Sequence, residues 1–246
     1  MKKILYLLKK FFFLFNIDIN KYNRLSHPHT FFHHLFKNSK IDCVVDLGAH
    51  VGEYHDMIRN LGYRKFMVCV EPQKQVSKIL IENLKKYTNT LVLPNLAIFM
   101  RKTKKKFFIY DNTHTSSLKK SLNKRPLNTY LVKCITLDSL LKKKFFKNRK
   151  SIYLKIDTQG SELDILKYSE LLKKKVDFLQ IEISIINLYE KEKLFDYIIK
   201  FLDSIGFKII FLHPGITNNE GLLNQMECFF YNVKKNGTKN LKKIIF

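Results

Sequence analysis

Five acids and two glycines carry the spacing that could do chemistry. In VVDLGAHVGEYHDMI, residues 44–58, Asp46 closes a β-branched apolar run, and Gly48 and Gly52 follow it. Glu71 ends the next such run, in KFMVCVEP. Asp157 ends another, SIYLKID, with Glu162 five residues on, and Glu182 stands near the end of VDFLQIEI. A buried strand, a glycine loop and a helix start is how a nucleotide- or cofactor-binding crossover begins. Open α/β sheets bind ligands beyond the carboxyl ends of their strands, where Asp46, Glu71 and Asp157 fall.

The loop itself limits the ligand. A dinucleotide loop reads G-x-G-x-x-G, with the second glycine giving the pyrophosphate room. Counted from Gly48, those glycines would fall at positions occupied by His50 and Glu53. Bulk and a carboxylate stand where a diphosphate needs space and positive potential, which argues against NAD or FAD. S-adenosylmethionine has no phosphate; it brings a sulfonium cation, an α-amino acid end, a ribose and an adenine. Asp46 suits a cationic ligand. Gly48 and Gly52 would let the loop backbone approach the methionine part. Glu71, followed by Pro72, could accept both ribose hydroxyls. His50, at the loop's tip, either contacts the donor's carboxylate end or is tolerated there. A plainer reading makes Asp46 a helix cap and Glu71 an exposed strand-end acid.

Around these residues the pattern alternates. IDCVVDL (41–47), KFMVCVEP (65–72), TLVLPNLAIF (90–99), SIYLKID (151–157) and VDFLQIEI (176–183) read as buried strands, being short continuous apolar runs. Helices are predicted through about 53–61, at 74–87, at 161–174 with Ser161 as N-cap and Asp164 as a weak capping-box partner, and at 190–206. KKKFFIYD (104–111) and TYLVKCITLDSLL (129–141) read as additional short strands. FKIIFL (207–212) and MECFFYNV (226–233) lack a helix between them and read as an antiparallel pair at one edge. Strands alternating with helices make a parallel sheet.

Together, VVDLGAHVGEY, CVEP, NLAI, TSSL, ITLDSLL, LKIDTQGSELDILK and LQIEI resemble the FkbM family of methyltransferases, over roughly residues 41–233. LKIDTQGSELDIL is the most specific piece. The resemblance implies an α/β class I methyltransferase (Rossmann-like) fold: a mostly parallel seven-stranded sheet with an antiparallel edge strand. It implies S-adenosylmethionine as methyl donor, a hydroxyl acceptor on a sugar, glycan or other small molecule, and a place in polysaccharide biosynthesis. It puts Asn95 among the adenine contacts, and Ser116 and Ser117 at the border of the donor pocket. Two positions depart from the family's pattern: His50 stands for asparagine, and Thr158–Gln159 stands for a valine–glutamate-like pair. Gln159 leaves Asp157 and Glu162 as the only acids of that loop, which weakens the case for a metal.

Methyl transfer to oxygen is an in-line displacement, and a sugar hydroxyl is a poor nucleophile that gains from a base. Asp157, Glu162 and Glu182 are the candidates to orient or deprotonate it. The same acids could hold one divalent ion through oxygen, although no metal is expected. Glu162 also has a plainer role, supporting the dipole of a first helical turn.

The net charge of +24 raises nucleic acid as a partner. Only six of the 45 basic residues are arginine, and phosphate and base recognition favour arginine's planar fork, so an RNA-directed or non-catalytic protein on this fold is the lesser alternative. Cys43, Cys69, Cys134 and Cys228 form no C-x-x-C pair and read as reduced thiols of a cytoplasmic protein. His27, His29, His33 and His34 lack the cysteines or acids of a zinc site, and S-H-P reads as a helix start. His114 and His213 are candidates to line an acceptor pocket. The chain divides into a helical extension (1–40), the methyltransferase domain (41–233) and a basic tail (234–246). MKKILYLLKKFFFLF reads as an amphipathic helix packed on the domain, with a membrane-surface helix as the sharper alternative.

Overall fold

The computed structural model describes residues 2–17, 27–239, 241 and 244. Its centre is β1 (Cys43–Leu47), every residue of which is buried. It pairs in parallel with β2 (Phe66–Glu71) on one side and β7 (Ile152–Ile156) on the other. β3 (Thr90–Pro94) extends the sheet past β2, and β8 (Val176–Ser184) extends it past β7. β9 (Phe207–Pro214) and β10 (Gln225–Asn232) complete seven strands in the order β3-β2-β1-β7-β8-β10-β9. The last two do form an antiparallel pair at one edge. However, β10 is the strand that runs against the sheet, and it lies one place in; β9 is the edge.

Two-residue alternation divides the strands between two cores. Cys43, Val45 and Leu47 face one with Leu154, Ile156, Leu179 and Ile181. That face is covered by α5 (Leu137–Leu141), α6 (Glu162–Leu166), α7 (Glu170–Lys175) and α8 (Phe195–Ser204). Val44, Tyr153, Phe178 and Phe229 face the other core, covered by α2 (Pro28–Asn38) and α3 (Glu53–Asn60). Helix α2 is therefore part of the domain's own core, through Phe31, Phe32 and Leu35. His27 is its N-cap and Pro28 its first residue, as S-H-P predicts. Of the tail, α9 (Val233–Asn236) ends at Gly237, and Leu241 and Ile244 return to the same core. Helix α4 (Lys74–Leu84) packs Leu80 and Leu84 on Ala49 and Cys69.

Several predicted elements divide differently. TLVLPNLAIF is two strands in separate sheets: β3 gives way to β4 (Leu96–Ile98) at Asn95, whose φ of 55° is left-handed backbone that asparagine tolerates. β4 joins β5 (Thr103–Ile109) and β6 (Asn128–Ile135) in a three-stranded sheet of its own. The TLDSLL segment is not strand. Thr136 caps it, accepting the Ser139 N–H at 3.0 Å, and α5 follows. Residues 161–174 hold two helices rather than one, because Ser169 caps α7 and interrupts the run. Ser161 makes no capping bond, and Asp164 pairs instead with Lys119 at 3.0 Å. The last long helix begins at Phe195, not 190, since Glu192 accepts the N–H groups of Leu188 and Tyr189 in a turn before it.

The N-terminal stretch is the largest departure. α1 (Lys2–Phe13) is a helix, but it is not packed on the domain: Ile4, Leu7, Leu8, Phe11 and Phe13 are all exposed. Helix α2 already occupies the face of the sheet an N-terminal helix would cover. The segment 18–26 lies outside the described residues. No helix among the described residues is long and apolar enough to cross a membrane.

Candidate active site

A cavity of about 440 Å³ opens at the carboxyl ends of β1, β2, β7 and β8. Gly48, His50, Glu71, Pro72, Asp157 and Glu182 line it, so the predicted site residues converge from four strands. The connection between β5 and β6 closes the cavity with Asn112–Ser116 and Leu118. It is held there by the Ser117 hydroxyl, which donates to the Gln159 carbonyl at 2.6 Å, and by Tyr189, whose hydroxyl lies 2.9 Å from the Thr115 carbonyl. Ser117 is thus a strut behind the wall rather than part of it. Ser116 faces the cavity.

Glu71 is almost wholly buried. Its Oε2 accepts the His50 N–H at 2.8 Å and its Oε1 accepts the Gln73 N–H at 2.7 Å. Burial pushes the carboxyl up to about 7, against the pull of those two backbone donors. Each oxygen keeps a second lone pair for a ligand. The glycines divide. Gly48 has φ +87°, and a Cβ there would sit 1.9 Å from the Asp157 carbonyl oxygen, so its bareness serves the crossing of the β1 and β7 ends. Gly52, with φ +105°, does not line the cavity; it faces Leu80 and Leu84 of α4, not a ligand. Gly48→Ala is accordingly expected to cost about 3 kcal/mol or more of stability, read by thermal or urea denaturation.

His50 resolves as a latch. Its φ of 48° is left-handed, the conformation that asparagine and histidine enter most readily. Its ring joins three elements: Nδ1 lies 3.0 Å from Glu53 Oε1, Nε2 lies 2.9 Å from Thr113 Oγ1, and the ring stacks on His114 at 3.7 Å. The loop of Gly48–Gly52 is thereby tied to the cavity's outer wall. His50, Glu53 and His114 are also the described residues whose ligating atoms converge, all within 4.8 Å. The acid set Asp157, Glu162 and Glu182 does not converge in this way.

Asp46 departs from its expected role. It is wholly buried and does not reach the cavity; Lys155 intervenes, with Nζ 3.5 Å from Asp46 Oδ1 and 3.1 Å from Asp157 Oδ2. Among the described residues neither Asp46 oxygen has a hydrogen-bond partner, and burial pushes this carboxyl up to about 6 although Lys155 pulls it down. Register explains the pair, since Asp46 on β1 stands beside Lys155 on β7, which stands beside Gln180 on β8. Gln180 accepts from the Tyr54 and Tyr153 hydroxyls and donates to Glu227 at 2.8 Å. Sequence reasoning misses Lys155; a lysine inside the buried strand IYLKI is the signal that marks it.

The end of the cavity beside β7 and β8 is polar. Gln159 has φ 57°, and its amide donates both to Asp157 Oδ1 at 2.8 Å and to Glu182 Oε2 at 2.7 Å. A glutamine here holds two acids together where a third acid would repel them. Burial alone would raise Asp157, but Lys155 and the Gln159 amide outweigh it and keep the carboxyl below its ordinary range. Glu182 is pushed well up by burial and by Asp157 and Glu227 nearby, and it also accepts from Gln225 at 2.8 Å. Glu162 does not line the cavity. Its Oε1 accepts from the Thr158 and Gly160 N–H groups at 2.9 and 3.2 Å and from the Thr158 hydroxyl at 3.0 Å, so it shapes the loop that carries Asp157. Burial raises it to about 7. Asn95 is exposed beyond the cavity wall, and Leu96, Ala97 and Ile98 line the cavity in its place. His114 lines the cavity; His213 does not.

No curated protein matches the chain. Among solved structures, it is similar to TrmK of M. capricolum in complex with S-adenosyl-homocysteine, at 10% identity over 85% of this chain and 70% of that one, with a TM-score of 0.47. It is similar to an rRNA methylase from Streptococcus thermophilus at 13% identity, over 87% and 99% of the two chains, with a TM-score of 0.46. The Methanococcus jannaschii fibrillarin pre-rRNA processing protein gives 10% identity over 78% and 67%, with a TM-score of 0.46. Likeness this distant says nothing of substrate. Sequence similarity is more decisive: the Methyltransferase FkbM domain matches residues 46–209, from the loop acid into β9, and by that match over more than half its length the chain belongs to the FkbM methyltransferase family.

Proposed function

We propose that this methyltransferase uses S-adenosylmethionine to methylate a hydroxyl of a sugar, glycan or similar small molecule. The observation that carries the donor assignment is Glu71, buried on the cavity wall with two lone pairs left over from its backbone bonds. Those lone pairs suit the two hydroxyls of a ribose. The apolar wall of Leu96, Ala97, Ile98 and Phe107 beside it suits a flat purine, and Gly48 lines the part of the cavity left for the methionine end. When bound, the donor supplies an electrophilic methyl group to an acceptor oxygen.

The chain's own residues supply the rest. Asp157, kept ionised by Lys155 and Gln159, takes the proton of the acceptor hydroxyl. Gln159, Glu182 and Gln225 present donors and acceptors that orient a polyol and exclude a purely apolar acceptor. The direct test is incubation with methyl-labelled S-adenosylmethionine and glycans extracted from a strain lacking the gene. Label recovered as a sugar methyl ether by mass spectrometry supports the reading, and label absent from every glycan fraction contradicts it.

A pH dependence follows from Glu71. Its carboxyl titrates at about 7 in the unliganded protein, and hydroxyl donors prefer the ionised form. Lowering the pH through that value protonates the acceptor of those bonds, so donor affinity should fall between about pH 8 and about pH 6. Titration calorimetry across that range should show the fall, and Glu71→Gln should flatten it.

A further inference from the structure

Helix α1 has the form of a membrane-surface element. At about 100° per residue, Leu5, Phe12, Leu8, Ile4, Phe11 and Leu7 share one arc of about 160°. This arc is open: Ile4 and Leu7 are each 64% exposed and Phe11 is 55% exposed. By position, Lys9 borders one edge of the arc, with Lys10 on the far side. The helix carries four lysines and no acid. Leu14, Phe15 and Ile17 continue the exposed apolar surface past its end. Twelve residues span only about 18 Å, too short to cross a bilayer.

We propose that α1 lies in the plane of an anionic bilayer, with its apolar arc at the acyl boundary and its lysines among the headgroups. Charge decides between this occupant and a second copy of the chain. Pairing two α1 faces would crowd eight lysines with no acid to offset them, on protomers that each carry +24. An anionic surface neutralises the same charges. The inference stands apart from the donor and acceptor assignments, because none of the cavity's lining residues lies on α1.

Co-sedimentation of the full chain with vesicles tests it. With phosphatidylglycerol in the vesicles, the protein should partition at least about tenfold more strongly than with phosphatidylcholine alone, and added salt should weaken the binding. A double variant, Leu8→Asp with Phe11→Asp, should lose at least about tenfold of that partitioning. Its melting temperature should be unchanged, since both side chains are exposed. The proposal is overturned if the wild type stays in the supernatant or if the double variant binds equally well. It is also overturned if sedimentation velocity shows a dimer that the double variant converts to monomer, which would assign the face to a second copy.

Discussion

Replacing Asp157 with asparagine is expected to lower kcat by about 100- to 10,000-fold, the usual worth of a positioned general base. Donor affinity should be nearly unchanged. Asp157 lies on the cavity wall at the end of β7, where Gly48 closes against its carbonyl and Gln159 and Lys155 fix its two oxygens. Asparagine keeps the shape and one acceptor but cannot take a proton. The labelled-methyl assay reads kcat, and calorimetry reads donor affinity. A fall in donor affinity with kcat intact would make Asp157 a donor-binding residue. No change in either would remove it from the site.

The second large effect is on stability. Lys155→Met removes the cation that, among the described residues, pairs with Asp46 at 3.5 Å and with Asp157 at 3.1 Å, and breaking a buried ion pair from one side costs about 3–5 kcal/mol. Asp46 already titrates at about 6, and losing Lys155 raises it further. An acid raised in the folded state loses stability as pH climbs above its unfolded value. The variant's deficit should therefore be larger at high pH and shrink as Asp46 protonates. Adding Asp46→Asn removes one of the two stranded charges, so the double variant should recover part of the loss and lose part of the pH dependence, the remainder belonging to Asp157. Urea denaturation of the four proteins at two pH values closes the cycle. Additive single effects would contradict the coupling.

These two residues also show where sequence reasoning stops. The strands of the large sheet and the positions of Asp46 and Glu71 at or near their ends are legible, because fully buried parallel strands read as apolar runs and their ends are marked by acids and proline. The direction in which each end residue points is not. Asp46 and Glu71 look alike in sequence, yet register sets Asp46 beside Lys155 beneath the cavity and Glu71 on its wall. Sequence spacing points Gly52 at a ligand, but its bareness serves Leu80 and Leu84 from a helix some thirty residues on. Glu162 follows Asp157 closely enough to suggest shared chemistry, yet the tight turn leaves its carboxylate bonded to the loop's own N–H groups. The role of Gln159 depends on Glu182, from a different strand, lying within reach of the same amide. The exposure of α1 follows from α2 already occupying the sheet face, which no local pattern states.

Glu71 remains the residue on which the donor assignment turns. Titration calorimetry of the wild type with S-adenosylmethionine, S-adenosylhomocysteine and NAD tests it directly. The two methionine-derived ligands should bind and NAD should not. Glu71→Ala should weaken both by at least about 10- to 100-fold, the worth of one hydrogen bond to a charged acceptor. Binding of neither methionine-derived ligand, or unchanged affinity in Glu71→Ala, would contradict the account.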